Sequence, residues 1–251
     1  MKTNYEFFKD LTYEKFKSLA EDKALNSIEK VGFPIEYREN KENFILDDII
    51  LKLDLKDKQN KVILDIGCGC SNLTILLIDF CKLNNHTLIL IDSKEMLDNL
   101  PDDDSIIKVE GYFPNTCNEF IESYKKKIDY IIVYSVIQYV FNELSIFNFI
   151  DNSCDLLNEG GKFIIGDIPN ISKRKRFFSS KNGIEFHKRF TGRDEIPEVD
   201  FNKIEFNNID DSVIFSIIQR CRIAGLDAYV LPQGKDLPMA NRREDILIIK
   251  P

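Results

Sequence analysis

Short runs of consecutive apolar, mostly β-branched residues recur along the chain: KVILDI (61–66), TLILI (87–91), SIIKV (105–109), DYIIVYS (129–135), GKFIIGD (161–167), DAYVL (227–231) and DILIIK (245–250). Runs without apolar/polar alternation suit strands covered on both faces, as in a parallel sheet. Between them lie SNLTILLIDFCKL, NTCNEFIESYKKK, NELSIFNFIDNSCDLLNEG and DDSVIFSIIQRCRIAG, whose apolar positions recur at helical spacing. These segments open on Ser, Asn or Asp, and Gly160 and Gly225 stand where two of them are expected to stop. Strand alternating with helix predicts a doubly wound α/β fold.

The flanks differ from this rhythm. LTYEKFKSLAEDKALNSIEK and KENFILDDIILKLDL read as helices preceding the first strand, broken at Gly32–Pro34. Pro169 to about Asp210 reads as irregular, with Pro169, Gly183, Gly192, Pro197 and six Phe among mixed charges. A loop of that length in a compact domain is more often a lid or binding insertion than filler. The expected organisation is one domain over 1–251: a helical N-terminal cover (1–56), a core (57–168), a substrate-side insertion (169–210), and the last helix with terminal strands (211–251).

Composition narrows the classes. The 251 residues are 43% hydrophobic and 30% charged, ordinary globular usage. A net charge of −8 argues against a protein whose main task is neutralising nucleic-acid phosphates. The N-terminal residues show no apolar h-region and no run approaches the roughly 18 residues of a membrane span, so a cytoplasmic protein without membrane contact is expected. Cys68 and Cys70 are close, but Cys81, Cys117, Cys154 and Cys221 are scattered, and reduced thiols with no metal site are expected.

The strongest chemical signal is KVILDIGCGCSNLT. An apolar strand runs into Asp65-Ile66-Gly67-Cys68-Gly69 and then into a helix beginning near Ser71. Gly67 and Gly69 permit a tight turn that brings backbone N–H groups against a ligand. Asp92, 23 residues after Gly69, ends the second run, where a carboxylate can accept hydrogen bonds from a ribose diol.

On these residues the chain resembles the class I S-adenosylmethionine-dependent methyltransferases. Asp65, Gly67 and Gly69 match the family's Asp/Glu-x-Gly-x-Gly motif, and Asn72 stands where a dinucleotide dehydrogenase would carry its third Gly. IDSKEML resembles the second motif, with Asp92 toward the ribose and Met96 near adenine. VEGYFP resembles the third, with Gly111 in place and Tyr112 where many members carry an acid. The resemblance implies a Rossmann-like, seven-stranded, mostly parallel sheet with a terminal antiparallel strand, N-terminal helices and an insertion after the fifth strand. It also implies S-adenosyl-L-methionine as cofactor, held by Asp65, Gly67, Cys68, Gly69, Asp92, Ser93, Met96, Glu110, Gly111, Tyr112, Tyr134 and Ser135.

A sulfonium methyl is attacked in line by the acceptor atom, so catalysis is largely positioning; a hydroxyl acceptor also needs a base. His187 in the insertion is the first base candidate and Asp167, at the end of the fifth strand, the second; Tyr139 is a further catalytic candidate. His86 reads as a solvated turn residue. Tyr37, Arg38, Gln138, Arg174, Arg176 and Arg189 are candidate acceptor contacts. Lys173–Arg176, followed by Phe177 and Phe178, is either a solvated face or part of an anion site to which Lys188, Arg193, Arg242 and Arg243 could converge. The same region resembles small-molecule methyltransferases of bacterial polysaccharide gene clusters, which implies a sugar-linked or phosphate-bearing acceptor; O-methylation is expected over N-methylation. The alternatives are a nucleotide-dependent oxidoreductase and a catalytically silent methyltransferase-like binding protein.

Overall fold

The apolar runs assemble into a single sheet. In the computed structural model, which describes residue 8 and residues 10–251, its strands are β1 (Val62–Ile66), β2 (Thr87–Asp92), β3 (Ile106–Glu110), β4 (Ile128–Tyr134), β5 (Leu157–Pro169), β6 (Asp227–Pro232) and β7 (Arg243–Ile249). Their order is β3-β2-β1-β4-β5-β7-β6. Strands β3 through β5 pair in parallel, and β7 runs antiparallel to both β5 and β6. This is the mostly parallel seven-stranded architecture expected. The chain reverses direction across the sheet between β1 and β4, and ligands meet such sheets in the crevice beyond the strand ends at that point.

Both faces are covered because the central strands carry apolar side chains toward both sides, interrupted only by Asp65 in β1, Asp129 in β4 and the end residues of β2. Leu64, Ile66, Ile89 and Ile91 enter one core with Phe149, Phe163 and Ile217; Ile63, Leu88 and Leu90 enter the other with Ile45, Leu53 and Ile78. Each such side chain contributes about 1.5–3 kcal/mol by leaving water. The first core is closed by α7 (Asn118–Tyr124), α8 (Ile137–Glu143), α9 (Ile146–Leu156) and α12 (Asp211–Ile223); the second by α4 (Glu42–Leu53) and α5 (Asn72–Leu83). Four short helices, α1 (Tyr13–Glu21), α2 (Ser27–Lys30), α3 (Ile35–Arg38) and α6 (Lys94–Leu97), lie above the carboxyl ends of β1 and β2. The beginning of the expected N-terminal cover, residues 1–7 and 9, lies outside the described residues.

Four expectations need correction. The stretch 169–210 is not irregular throughout: α10 (Ile171–Phe178) and α11 (Lys181–Thr191) fill its first half. Local caps account for them, since Asn170 accepts from the N–H groups of Ser172 and Lys173, Ser180 accepts from that of Gly183, and Gly192 leaves the second helix at φ 68°. Gly160 does not stop a helix; α9 ends at Leu156, and Gly160 lies within β5, its N–H bonded to the Lys250 carbonyl. The segment 11–30 is two helices rather than one, because the Asn26–Glu29 capping box starts α2 afresh after α1 ends. His86 is buried rather than solvated: its Nδ1 accepts from the Lys61 N–H at 3.1 Å, its ring lies 5.6 Å from that of Phe80, and burial lowers its pKa.

Candidate active site

A cleft of about 1120 Å³, counting its open mouth, lies over the carboxyl ends of β1, β2 and β4 and beneath α1 and α3. The turn after β1 forms its floor. Gly67 (φ 72°) and Gly69 (φ 61°) both occupy the left-handed region, and a Cβ at either would have no room: 2.7 Å from Val136 Cγ2 at Gly67, 2.6 Å from Val31 Cγ1 at Gly69. Glycine is thus required by conformation and by contact, and the backbone between β1 and α5 is bare toward the cleft.

Asp92 ties this turn to β2. Its Oδ2 accepts from the Gly69 N–H at 2.8 Å and its Oδ1 from the Ser93 N–H at 2.7 Å, while its carbonyl accepts from the Gly111 N–H at 3.0 Å. Burial nonetheless pushes Asp92 up to about 6, since two backbone donors offset only part of the desolvation. Asp65, buried in β1, is pushed up to about 8 by burial and by the nearby Asp92. Both carboxyls face the cleft, together with Cys68, Met96, Gly111 and Tyr112. Burial raises Cys68 and takes Cys70 to about 11, so neither thiol ionises at neutral pH.

Two of the expected cofactor residues stand aside. Ser93 is buried and caps α6 by accepting from the Met96 N–H, and Glu110 is exposed at the end of β3; neither lines the cleft. Tyr112 is held by a contact its spacing did not suggest. Its ring stacks on Tyr13 at 4.2 Å and its hydroxyl donates to Glu143 Oε2 at 2.7 Å, which also accepts from the Tyr13 N–H. Tyr13 and Phe16, three apart on α1, and Glu143 on α8 are wall residues that motif reading missed. A helical i, i+3 aromatic pair was the available signal for the first two.

The far wall is built on charge. Arg38 of α3 is 5% exposed, lies 3.9 Å from the Phe33 ring centroid, donates to Ser135 Oγ, and meets Asp167 Oδ2 at 3.4 Å. Ser135 donates to the same Asp167 oxygen, and Arg243 approaches it at 3.3 Å while donating to the Asp167 carbonyl at 2.8 Å. Ser135 (φ 60°) and Asp167 (φ 58°) are non-glycine residues in the left-handed region at the ends of adjacent strands, strain that surrounding structure must impose. Tyr134, Ser135, Arg38 and Tyr139 line the cleft; Asp167 does not, standing one hydrogen bond behind.

The remaining candidates are dispersed. Gln138 donates to the Ser135 carbonyl at 2.7 Å and lies outside the lining. His187 sits on α11, edge-on to Phe178 at 6.1 Å and outside the lining. Arg174 meets Glu205 at 4.0 Å, Arg176 meets Asp211 at 2.5 Å, and Arg189 is exposed on α11. Among the described residues no cluster of three or more His, Cys, Asp or Glu is placed to hold a metal, and no helix is long and apolar enough to cross a membrane.

No family model and no curated protein matches the sequence, whereas solved structures match the fold. A Methanococcus maripaludis protein assigned as an S-adenosyl-L-methionine-dependent methyltransferase superposes with a TM-score of 0.53 at 19% identity, covering 100% of this chain and 95% of that one. The plantazolicin methyltransferase BpumL, solved with a desmethylplantazolicin analogue and S-adenosylhomocysteine, gives 0.56 at 13% identity, covering 98% of each chain. The N-methyltransferase NodS of Bradyrhizobium japonicum, solved with S-adenosylhomocysteine, gives 0.53 at 14% identity, covering 96% of this chain and 100% of that one. At these identities the likeness is one of fold.

Proposed function

We propose that this chain, built on the methyltransferase fold, binds S-adenosyl-L-methionine in the cleft and transfers its methyl group to a small, anionic acceptor, at oxygen rather than nitrogen. The observation that carries this reading is the convergence of the bare Gly67–Gly69 turn and the Asp92 carboxylate on one cleft at the sheet's reversal point.

The residues present fit that cofactor. Each Asp92 oxygen accepts one backbone N–H and keeps a lone pair for a ribose hydroxyl. Met96 and Ile91 offer the apolar surface an adenine needs, and Gly111 offers backbone beside it. Asp65, neutral in the main at pH 7, would be drawn into its ionised form by a cationic group beside it. When bound, the cofactor supplies an electrophilic methyl on a sulfonium.

The far wall governs the acceptor. Arg38 in the lining and Arg243 behind it share the single Asp167 carboxylate, and the positive charge in excess favours an acceptor oxygen that carries or develops negative charge, which supports O-methylation. Tyr139 is the proton-bearing candidate that lines the cleft; burial raises its pKa, so it remains a phenol and orients an acceptor oxygen by hydrogen bonding. Asp167 acts behind Ser135, fixing Arg38 and Ser135 in place. His187, outside the lining, is a proton acceptor only for a substrate long enough to reach α11.

The test is transfer of labelled methyl from S-adenosyl-L-methionine to fractions of anionic small molecules, with Tyr139→Phe expected to reduce turnover at least tenfold and His187→Ala less than threefold. Binding of the cofactor without transfer to any fraction would reduce the protein to a binding role. Saturable binding of NAD(P)H in place of S-adenosyl-L-methionine would make it an oxidoreductase.

A further inference from the structure

The insertion neutralises itself. Residues 171–193 carry eight Lys and Arg against one Glu, and residues 194–211 carry seven Asp and Glu against one Lys. Lys175 meets Glu205 at 3.5 Å, Arg176 meets Asp211, Lys188 pairs with Asp194, and Lys173 lies 3.9 Å from Glu244 of β7. The basic run is thereby a clasp that holds α10 and α11 to the acidic segment behind them.

Arg242 is placed differently. It closes the 3₁₀ turn Ala240–Arg242 immediately before β7, is half-buried, and among the described residues has no carboxylate partner. Its guanidinium lies 5.8 Å from the Phe178 ring centroid, and that of Arg174 lies 5.7 Å from the same ring. The charged and titratable groups that act on it are Arg243 and Arg174, both unfavourable, and the Tyr37 phenol. Burial and the two like charges push its pKa below the ordinary arginine value, so the fold holds this cation against an electrostatic gradient.

The turn adjoins the acceptor wall. Arg243, next in sequence, grips Asp167, and the Tyr139 phenol senses Arg243, Arg38 and Asp167 together. Tyr37 precedes Arg38, which lines the cleft. A guanidinium braced on an aromatic face presents its free N–H edge as a planar fork, which matches the two oxygens of a phosphate or carboxylate.

We propose that Arg242, braced on Phe178 and flanked by Arg174 and Tyr37, binds the phosphate or carboxylate of the acceptor. That this anion belongs to a methyl acceptor rests on the function proposed above; the anion site itself does not.

The experiment titrates the full chain with inorganic phosphate and, in a separate arm, with malonate, monitored by NMR chemical shifts, with S-adenosylhomocysteine binding measured in parallel. Saturable binding is expected for the wild type, stronger in the arm that matches the natural group. Arg242→Gln should weaken it at least tenfold, Arg242→Lys about threefold because a point charge lacks the fork, and Lys181→Gln on exposed α11 less than twofold. Thermal melting identifies folded variants; if Arg242→Gln unfolds, Arg242→Lys decides. Unchanged binding in the folded Arg242 variant, or no saturable binding of either anion by the wild type, would overturn the proposal. Arg242-dependent anion binding without S-adenosylhomocysteine binding would keep the anion site and remove the methyltransferase reading.

Discussion

Asp65 and Asp92 carry opposite relations to their surroundings. Asp92 is buried but answered by two N–H donors; Asp65 is buried, and among the described residues the charged neighbour acting on it is Asp92. Both have folded pKa values above their usual carboxylate range, about 6 and about 8. A carboxyl raised on folding stabilises the protein below its unfolded pKa, and that contribution is lost as pH rises through the folded value. The ligand-free melting temperature is therefore expected to fall between about pH 5 and pH 8 and to level off above pH 8, and Asp65→Asn to flatten the fall. A melting temperature constant or rising across that window in the wild type would contradict the assigned ionisation. Both aspartates were legible in the sequence because Asp65 precedes the Gly67–Gly69 turn by two residues and Asp92 ends the second apolar run. Tyr13, Phe16 and Glu143 were not, since their roles depend on α1 and α8 meeting over the sheet.

At the scale of elements, the turn between β1 and α5 and the paired ends of β4 and β5 do the positioning. Gly69→Ala must place a methyl group against Val31, in the segment between α2 and α3, and adopt a left-handed backbone. It is expected to destabilise the fold by about 1–3 kcal/mol and to weaken cofactor binding, read by denaturant melts and calorimetry. Asp167→Asn removes one partner of a buried cluster and leaves Arg38 and Arg243 facing each other. Such a loss costs about 3–5 kcal/mol, and urea unfolding should register it with the m-value unchanged. The strands were readable because short β-branched runs without apolar/polar alternation suit strands covered on both faces. The helices of the insertion were obscured because α10 is polar or charged at the five positions between Ile171 and Phe177; its existence depends on the Asn170 cap and on the clasp to Glu205 and Asp211. The 13-residue β5 was read short because Gly160 and Gly161 resemble a stop, whereas the pairing of Leu157 with Ile128 carries the strand past them.

For the whole molecule, the average charge of −8 conceals a division of labour. Carboxylates concentrate where the cleft meets the glycine turn, whereas Arg38 lines the other wall with Arg243 behind it on Asp167 and Arg242 in the adjoining turn. A cationic cofactor at one end and an anionic acceptor at the other is the arrangement this separation supports. It is only half visible in sequence: the basic run at 173–176 is the conspicuous feature, yet its charges are paired within the chain, and Arg242, which has no carboxylate partner among the described residues, lies in another loop. The decisive experiment is calorimetric titration of S-adenosylhomocysteine into the wild-type chain and into Asp92→Ala. Saturable one-to-one binding is expected, weakened at least tenfold in a folded Asp92→Ala variant. Absence of binding by the wild type, or equal affinity in the two proteins, would contradict it.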